Sequence, residues 1–498
     1  MMAMCNSRVT LTELRAWLAA SAALFVVALP APAAAAGQVT FSKDIKPILQ
    51  RSCERCHRPD GVAPMALVNY DQVRPYARAM KFKTSLRNKP GVMPPWMIEK
   101  DIGIQQFKGD PSLSEEEIVK IATWADSGAP QGNPADMPPP LKWPSAEAWE
   151  IGTPDLIVET TPFKMPALSP DWWGSFDPIP MGLKEDRYIA AYEVKEVNNA
   201  KGKPIAVEGA AQQTAGLSVF HHALFKTVSP AGGDFSACCN THEAGRNAEF
   251  FAPEAGKLVK AGSDLFFNTV HIHSNGRDTS TTMKVGFKFH PKGYQPKLHS
   301  QLLHIATNPD FIDIPGMAKD VRFDGMVTMQ ENVRITVFEP HMHLPGVRQC
   351  LEATYGQTVE TLSCAGYSHS WVMAYTYADD VAPLLPKGTI LRIVGYFDNS
   401  PTNPTVPDPR NWSGGGNRSL DNMNINIMQV IPLTDAEFEQ QLVERRQKLQ
   451  LSGRKAVLGC PLCVLPDERS KPAKSAEGLV WSGRDGRFAP ANLPPAAR

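Results

Sequence analysis

Histidines recur in close pairs along the second half of this chain. The three segments are FEPHMHLPG with His341 and His343, VHIHSNG with His271 and His273, and SVFHHALF with His221 and His222. Residues i and i+2 of a β-strand face the same side, so each of the first two pairs can chelate one metal ion. Adjacent strand residues face opposite sides, so the third pair shares an ion only through a β-bulge or by using different ring nitrogens.

A second motif with redox chemistry lies near the N-terminus, in FSKDIKPILQRSCERCHRPDG. Cys53, Cys56 and His57 form the C-x-x-C-H pattern, in which two thiols bind the haem vinyl groups and the imidazole binds the iron. The alternative interpretations are a simple disulfide and half of a zinc site. The histidine directly after the second cysteine favours covalent haem c.

The sixth ligand of such a haem is expected further along the same domain. The segment NKPGVMPPWM offers Met93, which is followed by two prolines that stiffen the loop. Met65 and Met97 are the rival candidates. Met93 is the predicted ligand.

The haem-binding domain is predicted to be small and helical, covering residues 37–135. Its last helix lies in SLSEEEIVKIATWADSGAP, where Ser114 and Glu117 form a capping box and Gly128 ends the helix. The proline-rich segment NPADMPPPLKWP predicts a linker over residues 136–149.

Downstream of the linker the sequence changes to short alternating runs such as KVGFKFH, VRITVFEP, LRIVGYFDNS and INIMQVI. Gly, Pro, Asn and Asp turns separate these runs, which predicts an all-β region built as sandwiches. Imidazoles without nearby thiolates or paired carboxylates suit copper, zinc or nickel. A haem in the same chain favours copper, because copper accepts single electrons.

The order of these motifs resembles a known family. FHHALF, AGSDLFFNTVHIHSNG, EPHMHLPG, FDNSPTNP and LDNMNINIMQV follow one another as in the copper type II, ascorbate-dependent monooxygenases. That family includes peptidylglycine alpha-hydroxylating monooxygenase and dopamine beta-hydroxylase, and the chain is most similar to bacterial members with an N-terminal cytochrome c domain. The resemblance covers about residues 40 to 435.

The resemblance implies two copper sites and an activity. His221, His222 and His271 match the ligands of an electron-storing copper. His341, His343 and Met423 match those of the copper that activates dioxygen, where a thioether favours Cu(I). The implied reaction is hydroxylation of a C–H bond of a small organic substrate, with O2 as co-substrate and ascorbate or another one-electron reductant as electron source.

The implied architecture is multidomain, with a small all-α cytochrome c domain followed by two all-β, jelly-roll-like sandwich domains. The sandwiches are expected over residues 150–308 and 309–435, each contributing one copper that faces the other across a solvent-filled cleft. Residues 436–498 are expected to form a C-terminal helix and tail.

Several residues depart from the family pattern. His273 is an alternative to His271 as the third ligand of the first site, although His271 is the predicted one. Asn422 replaces an acidic residue of the animal enzymes, and NNAKGKPIAVEGAAQQTAG resembles an inserted loop. Met423 has an alternative role as a core residue beside Met428.

The bulk composition restricts partners and location. Lys plus Arg and Asp plus Glu number 51 each, so no net field favours nucleic acid. Residues 1–36 combine arginines, an apolar stretch and APAAAA, which predicts a cleaved signal peptide rather than the alternative, a retained anchor. We therefore expect a periplasmic or secreted protein with no membrane span.

Six cysteines remain outside the signal and the haem motif, and an exported protein is expected to pair them. Cys350 and Cys364 flank a predicted hairpin with its turn near residues 355–358, so they are expected to face each other. The other four are Cys238, Cys239, Cys460 and Cys463. The CPLC tail is expected to bridge back to the 238–239 pair, with a zinc site of four thiols as the alternative.

Two other functions compete with the monooxygenase. One is a periplasmic electron-transfer protein in which haem and copper pass charge without oxygen chemistry. The other is a zinc hydrolase with an accessory cytochrome, which leaves the haem without a purpose. The monooxygenase prediction requires two copper ions, one haem c, a small-molecule substrate and a redox protein as electron donor.

Overall fold

The structure is a computed structural model of the 498-residue chain. It describes residues 38–59, 63, 65–143, 145, 148–200, 218–230, 241–243, 248–416, 421–451, 457–463, 479–482 and 487–490. The predicted signal peptide, most of the predicted inserted loop, and both Cys238 and Cys239 lie outside these residues. Among the described residues, no helix combines the length and apolar character needed to cross a bilayer.

The N-terminal segment folds as short helices around a common core. The helices are α1 (Lys46–Ser52), preceded by a π-helical turn at Phe41–Ile45, α2 (Tyr70–Val73), α3 (Ala77–Ser85) and α4 (Glu115–Asp126). The predicted capping box is present, since Ser114 and Glu117 bond each other's backbone N–H groups at the start of α4. Gly128, at φ +87°, follows its end. Trp124 is fully buried on the inner face of this helix.

This segment is not all-α, because it contributes a strand to a distant sheet. Strand β1 (Ile98–Gly103) pairs with β19 (Thr358–Gly366), with Ile98 opposite Ala365 and Gly103 opposite Ser363. A Cβ at Gly103 would lie 2.2 Å from the Leu362 carbonyl oxygen, and φ there is +62°, so only glycine fits. The helical segment is therefore docked on the second β unit.

Most of the remaining chain is antiparallel β-sheet, as predicted. The first β unit contains β2 (Leu156–Glu159), β3 (Phe163–Met165), β4 (Trp172–Gly174), β5 (Ile179–Pro180), β6 (Arg187–Asn198), β7 (Phe220–Val228), β8 (Thr241–Glu243), β9 (Ala248–Phe250), β10 (Lys257–Val259), β11 (Asp264–Ile272) and β12 (Thr279–Phe289). One sheet has the order β10-β6-β12-β2 and the other β4-β11-β7-β8. Phe267 and Phe287, one from each sheet, are fully buried in a shared core. Burial of each side chain contributes about 1.5–3 kcal/mol to the free energy of folding.

The second β unit consists of two main sheets and one two-stranded sheet. Its strands are β13 (Gln301–Ala306), β14 (Asp313–Ile314), β15 (Val321–Thr328), β16 (Asn332–Phe338), β17 (Pro340–Met342), β18 (Gly346–Tyr355), β19, β20 (Tyr375–Thr376), β21 (Leu384–Leu385), β22 (Ile390–Phe397), β23 (Ser413–Gly414) and β24 (Asn424–Leu433). The main sheets have the orders β1-β19-β18-β22-β15 and β13-β24-β16-β20, and the two-stranded sheet is β14-β23.

The boundary between the β units differs from the predicted 308/309. Strand β13 pairs with β24 along its whole length, from Gln301 opposite Val430 to Ala306 opposite Ile425. The second unit therefore begins no later than Gln301. An ion pair between Arg334 and Glu254, with N···O 2.5 Å, joins the two units across their interface.

The hairpin predicted between Cys350 and Cys364 is confirmed, and so is the disulfide. The two cysteines are direct register partners on β18 and β19, with Cα atoms 4.1 Å apart. The predicted bridge from CPLC to Cys238 or Cys239 is wrong, because Cys460 is bonded to Cys463. Helix α5 (Asp435–Lys448) follows β24, and a hairpin of β25 (Leu479–Ser482) and β26 (Arg487–Pro490) lies near the C-terminus.

Candidate metal centre

Seven buried histidines lie together where the two β units meet. They are His221, His222, His271, His273, His341, His343 and His369. Neighbouring imidazole rings have centroids between 4.6 and 6.2 Å apart. We call this group the histidine cluster. It contains all three sequence-predicted histidine pairs and one residue that the sequence did not indicate.

A β-bulge brings the adjacent pair His221 and His222 into the cluster. Strands β7 and β11 pair with His222 opposite His271, but the next pair is Phe220 opposite Ile272, so His221 is the extra residue. A bulge turns a side chain away from its regular face, as the shared-ion hypothesis required. The ring centroids of His221 and His222 are 5.5 Å apart, and those of His271 lie 5.0 and 5.3 Å from them.

Two neighbours fix the orientation of His271. Its Nε2 lies 2.7 Å from a carboxylate oxygen of Asp171, and its ring stacks on Trp173 at 3.8 Å between centroids. The hydrogen bond from His271 lowers the pKa of the Asp171 carboxyl. A carboxylate that accepts from one ring nitrogen orients the other nitrogen of a metal-binding histidine. Sequence reasoning missed Asp171, which lies 100 residues away in the chain.

His273 also belongs to the cluster. Its ring centroid is 5.6 Å from that of His221 and 6.1 Å from that of His271. Burial lowers the pKa of His273 to about 4, so this imidazole is neutral at neutral pH. Both members of the His271 and His273 pair therefore lie beside His221.

The second unit contributes His341 from β17 and His343 just beyond it. Their ring centroids are 5.6 Å apart. The Nδ1 of His343 lies 2.9 Å from the backbone oxygen of Asp421, which directs its Nε2 away from that contact. Burial lowers the pKa of His343 to about 3.

Met423 lies at the same end of this strand pair. Strand β17 pairs with β24 up to Met342 opposite Asn424, so the next residue beyond this pair is His343 on the β17 side and Met423 on the β24 side. Met428, by contrast, is fully buried in the hydrophobic core, whereas Met423 is partly exposed. The register therefore brings Met423 to the edge where His343 lies.

His369 was not predicted, and it connects the two histidine sets. It lies in the loop between β19 and β20, with its ring centroid 4.6 Å from that of His221 and 5.8 Å from that of His343. Its Nε2 is 3.2 Å from the Nε2 of His221. Burial lowers its pKa well below the usual range. No local pattern marks this residue, because it is a lone histidine between two serines.

The two histidine sets adjoin, which differs from the implied arrangement across a solvent-filled cleft. The His222 and His341 rings, one from each unit, have centroids 6.2 Å apart. His369 makes a second contact between the two sets. Five neighbouring imidazoles therefore form a closed ring at the interface of the units: His221, His222, His341, His343 and His369.

The donor chemistry of the cluster fits copper, although the donor atoms are not arranged around one point. Among the described residues, no group of three or more His, Cys, Asp or Glu side chains is positioned to hold an ion. A metal about 2 Å from one nitrogen of each of three imidazoles holds their ring centroids roughly 5 Å apart, close to the spacing of His221, His222 and His271. Within the described residues, the buried Nδ1 of His222 has no hydrogen-bond partner.

The C-x-x-C-H motif lies at the end of α1. Cys53 and Cys56 are not disulfide-bonded, and burial raises the pKa of each thiol. The Nδ1 of His57 lies 3.2 Å from the Met65 backbone oxygen, which leaves its Nε2 available for a metal. Met93 is 40% exposed.

Aromatic residues connect the Met93 loop with the strand that leads to His341. Trp96 packs edge-on against Tyr375 with 4.9 Å between centroids, and Tyr375 lies 6.0 Å from Phe338 at the end of β16. All three are buried. The helical segment is thereby held against the unit that carries His341.

Comparisons with known proteins leave the family unassigned. No family model matches the chain, and no curated protein matches it. Weak structural similarity is found to the structure of infectious bursal disease virus Gx strain, at 10% identity over 59% of this chain and 89% of that chain, with a TM-score of 0.16. The crystal structure of coconut allergen cocosin is similar at 7% identity over 58% of this chain and 85% of that chain, with a TM-score of 0.12. These scores are too low to indicate a shared fold.

Proposed function

We propose that the protein is a copper-dependent monooxygenase that hydroxylates a C–H bond of a small organic substrate, with electrons delivered through a covalently bound haem c. The observation that carries this proposal is the histidine cluster, in which both β units contribute buried imidazoles to one interface. Seven buried imidazoles beside one another suit a copper centre better than a structural core.

Two ligand sets are proposed within the cluster. His221, His222 and His271 hold one copper, and His341, His343 and Met423 hold the other. Bound copper supplies one-electron transfer at the first set and reaction with dioxygen at the second, where a thioether favours Cu(I). Asp171 and the Asp421 carbonyl orient the rings of His271 and His343 through the hydrogen bonds that each imidazole makes.

The haem proposal assigns Cys53 and Cys56 as attachment sites, with His57 and Met93 as iron ligands. The contact between the His57 Nδ1 and the Met65 carbonyl supports Met93 over Met65, because it places the Met65 backbone on the Nδ1 side of the imidazole, away from the Nε2 that would bind the iron. Met97 is only 3% exposed, and its backbone N–H contacts the Tyr375 hydroxyl in the second β unit. Exposed Met93 is therefore the better distal candidate.

Docking of the helical segment supports electron delivery within one chain. The β1 strand and the buried contact of Trp96 with Tyr375 fix the haem motif relative to β17. A fixed separation would favour electron transfer between a haem bound at this motif and copper bound by His341. The Cys350–Cys364 disulfide agrees with a periplasmic or secreted location, where disulfides persist and haem c is attached.

Metal analysis and carbon monoxide binding test this function without knowledge of the substrate. The purified chain, loaded with copper and reduced without oxygen, should contain two copper ions and one haem. Carbon monoxide is an infrared probe of Cu(I) sites that have an open position, and we expect one equivalent to bind per chain. In Met423→Ala the carbonyl stretching band should shift, because the thioether is lost from the site that binds it.

The competing functions give different results. An electron-transfer protein without oxygen chemistry would hold copper in closed sites and bind no carbon monoxide. A zinc enzyme would retain zinc rather than copper after purification from medium containing both metals. Either outcome contradicts the monooxygenase proposal, as would a carbonyl band that Met423→Ala leaves unchanged.

A further inference from the structure

His369 comes from the second β unit but lies closest to a ring of the first. It follows β19 and precedes β20, in a turn where the Trp371 N–H donates to the Ser368 carbonyl at 3.0 Å. The residue is only 8% exposed. Its nearest imidazole is His221, in the bulge of β7. The loop therefore inserts an imidazole from one unit into the histidine set of the other.

The distance between the facing nitrogens of these two rings is close to that expected for two ligands of one metal ion. The Nε2 atoms of His221 and His369 are 3.2 Å apart. Two nitrogens bound to one ion at about 2 Å, with a near-tetrahedral angle between them, are roughly 3.3 Å apart. A single hydrogen bond between the rings gives a similar distance, so the two roles have to be separated by experiment.

The local chemistry favours a shared ion. The His369 ring also lies beside the second histidine set, with its centroid 5.8 Å from that of His343. An imidazole that binds a shared ion needs other imidazoles within reach of that ion, and the ring centroids of His221 and His343 lie 4.6 and 5.8 Å from that of His369. Copper accepts four nitrogen donors readily.

We propose that His369 is a fourth imidazole ligand of the ion held by His221, so that this copper site takes donors from both β units. The inference rests on the proposed function only in taking the ion to be copper. One consequence is mechanical: an ion bound by His221 and His369 ties the first unit to the second. Copper loading should then stabilise the interface between the units as well as each unit.

The test isolates the first site in the full-length chain. The background variant carries His341→Ala and His343→Ala, which removes the second copper. In that background, His369→Phe removes the imidazole, whereas His369→Gln keeps a side chain able to hydrogen-bond His221. His299→Gln, an exposed histidine outside the cluster, is the matched control. Copper(II) affinity is measured by chelator competition, and the number of bound imidazoles by X-ray absorption spectroscopy.

We expect both His369 variants to lose one imidazole from the copper shell and to weaken copper binding by about tenfold or more. His299→Gln should match the background. If His369→Gln keeps the affinity and the imidazole number, His369 is only a hydrogen-bond partner of His221 and the inference is wrong.

Failure of the inference can be distinguished from failure of the proposed function. A chain that binds two copper ions, with no effect of either His369 variant, retains the function and loses the inference. A chain that binds zinc but no copper, with an imidazole lost in both variants, retains the ligand and loses the function. Absence of any metal binding in the wild-type chain contradicts both.

Discussion

A buried ion pair next to the haem motif gives a prediction with a defined magnitude. Lys46 and Glu54 form a salt bridge in which the side chains are 2% and 1% exposed, and the Lys46 ammonium also donates to the Val68 carbonyl at 2.6 Å. Lys46→Met keeps the aliphatic stem but leaves the Glu54 carboxylate buried without its cation. Breaking a buried pair in this way costs about 3–5 kcal/mol of unfolding free energy.

The helical segment also offers a matched exposed pair. Lys81 and Asp126 lie within 2.6 Å of each other, but their side chains are 43% and 63% exposed. Water and salt screen such a pair, so Lys81→Met should cost at most about 1 kcal/mol. Both substitutions remove one positive charge, and the difference between them therefore measures burial.

Urea unfolding followed at the haem absorption band measures this difference, because a covalent haem reports on the helical segment alone. The double variant Lys46→Met with Glu54→Gln should recover part of the loss, since no charge is then left unpaired. Equal and small losses in Lys46→Met and Lys81→Met would refute the reasoning. Such a result would mean that water reaches the Glu54 carboxylate.

Three further predictions concern the haem and the histidine cluster. In Cys56→Ser, the haem band that stays with the denatured polypeptide should be lost, and its persistence would contradict covalent attachment. Met93→Ala should open the iron to added ligands such as imidazole or cyanide, and if Met93→Ala leaves ligand binding unchanged, the distal ligand was misassigned. The metal-free chain should lose stability as the pH falls from 6.5 towards 4. The pKa values of His273 and His343 in the folded chain are about 4 and 3, so over this range the unfolded chain binds protons at these histidines more strongly than the folded chain does. For His273 alone the loss at pH 4 is about 3 kcal/mol in urea unfolding, whereas a flat profile over this range would show that these imidazoles are not buried in the free protein.

Features set by local sequence were predictable. The capping box of α4, the hairpin between Cys350 and Cys364 and the alternating strands depend on residues a few positions apart. The bulge at His221 was also foreseeable as one of two ways in which adjacent histidines can share an ion. In each case the physical constraint acts within one element or one turn.

Features set by pairing between distant segments were not predictable. Strand β1 joins β19 more than 250 residues further along the chain, and nothing in the sequence IEKDIG specifies that partner. The same holds for β13, which reads as the end of the first unit until its pairing with β24 is known. A strand's own pattern gives its inner face but not the edge that it will occupy.

The histidine cluster shows how these two kinds of information combine. Sequence spacing identified the six paired histidines, because residues i and i+2 of a strand share one face and a bulge can bring adjacent side chains together. His369 has no histidine near it in the sequence. Its position in the cluster is set by β19 and β20, which hold its loop against the first unit. Asp171 is placed in the same way, by the pairing of Trp173 with His271. Residues that orient or complete a site across an interface are therefore the ones that single-sequence reasoning misses. Their separation along the chain does not indicate how close they lie in the folded protein.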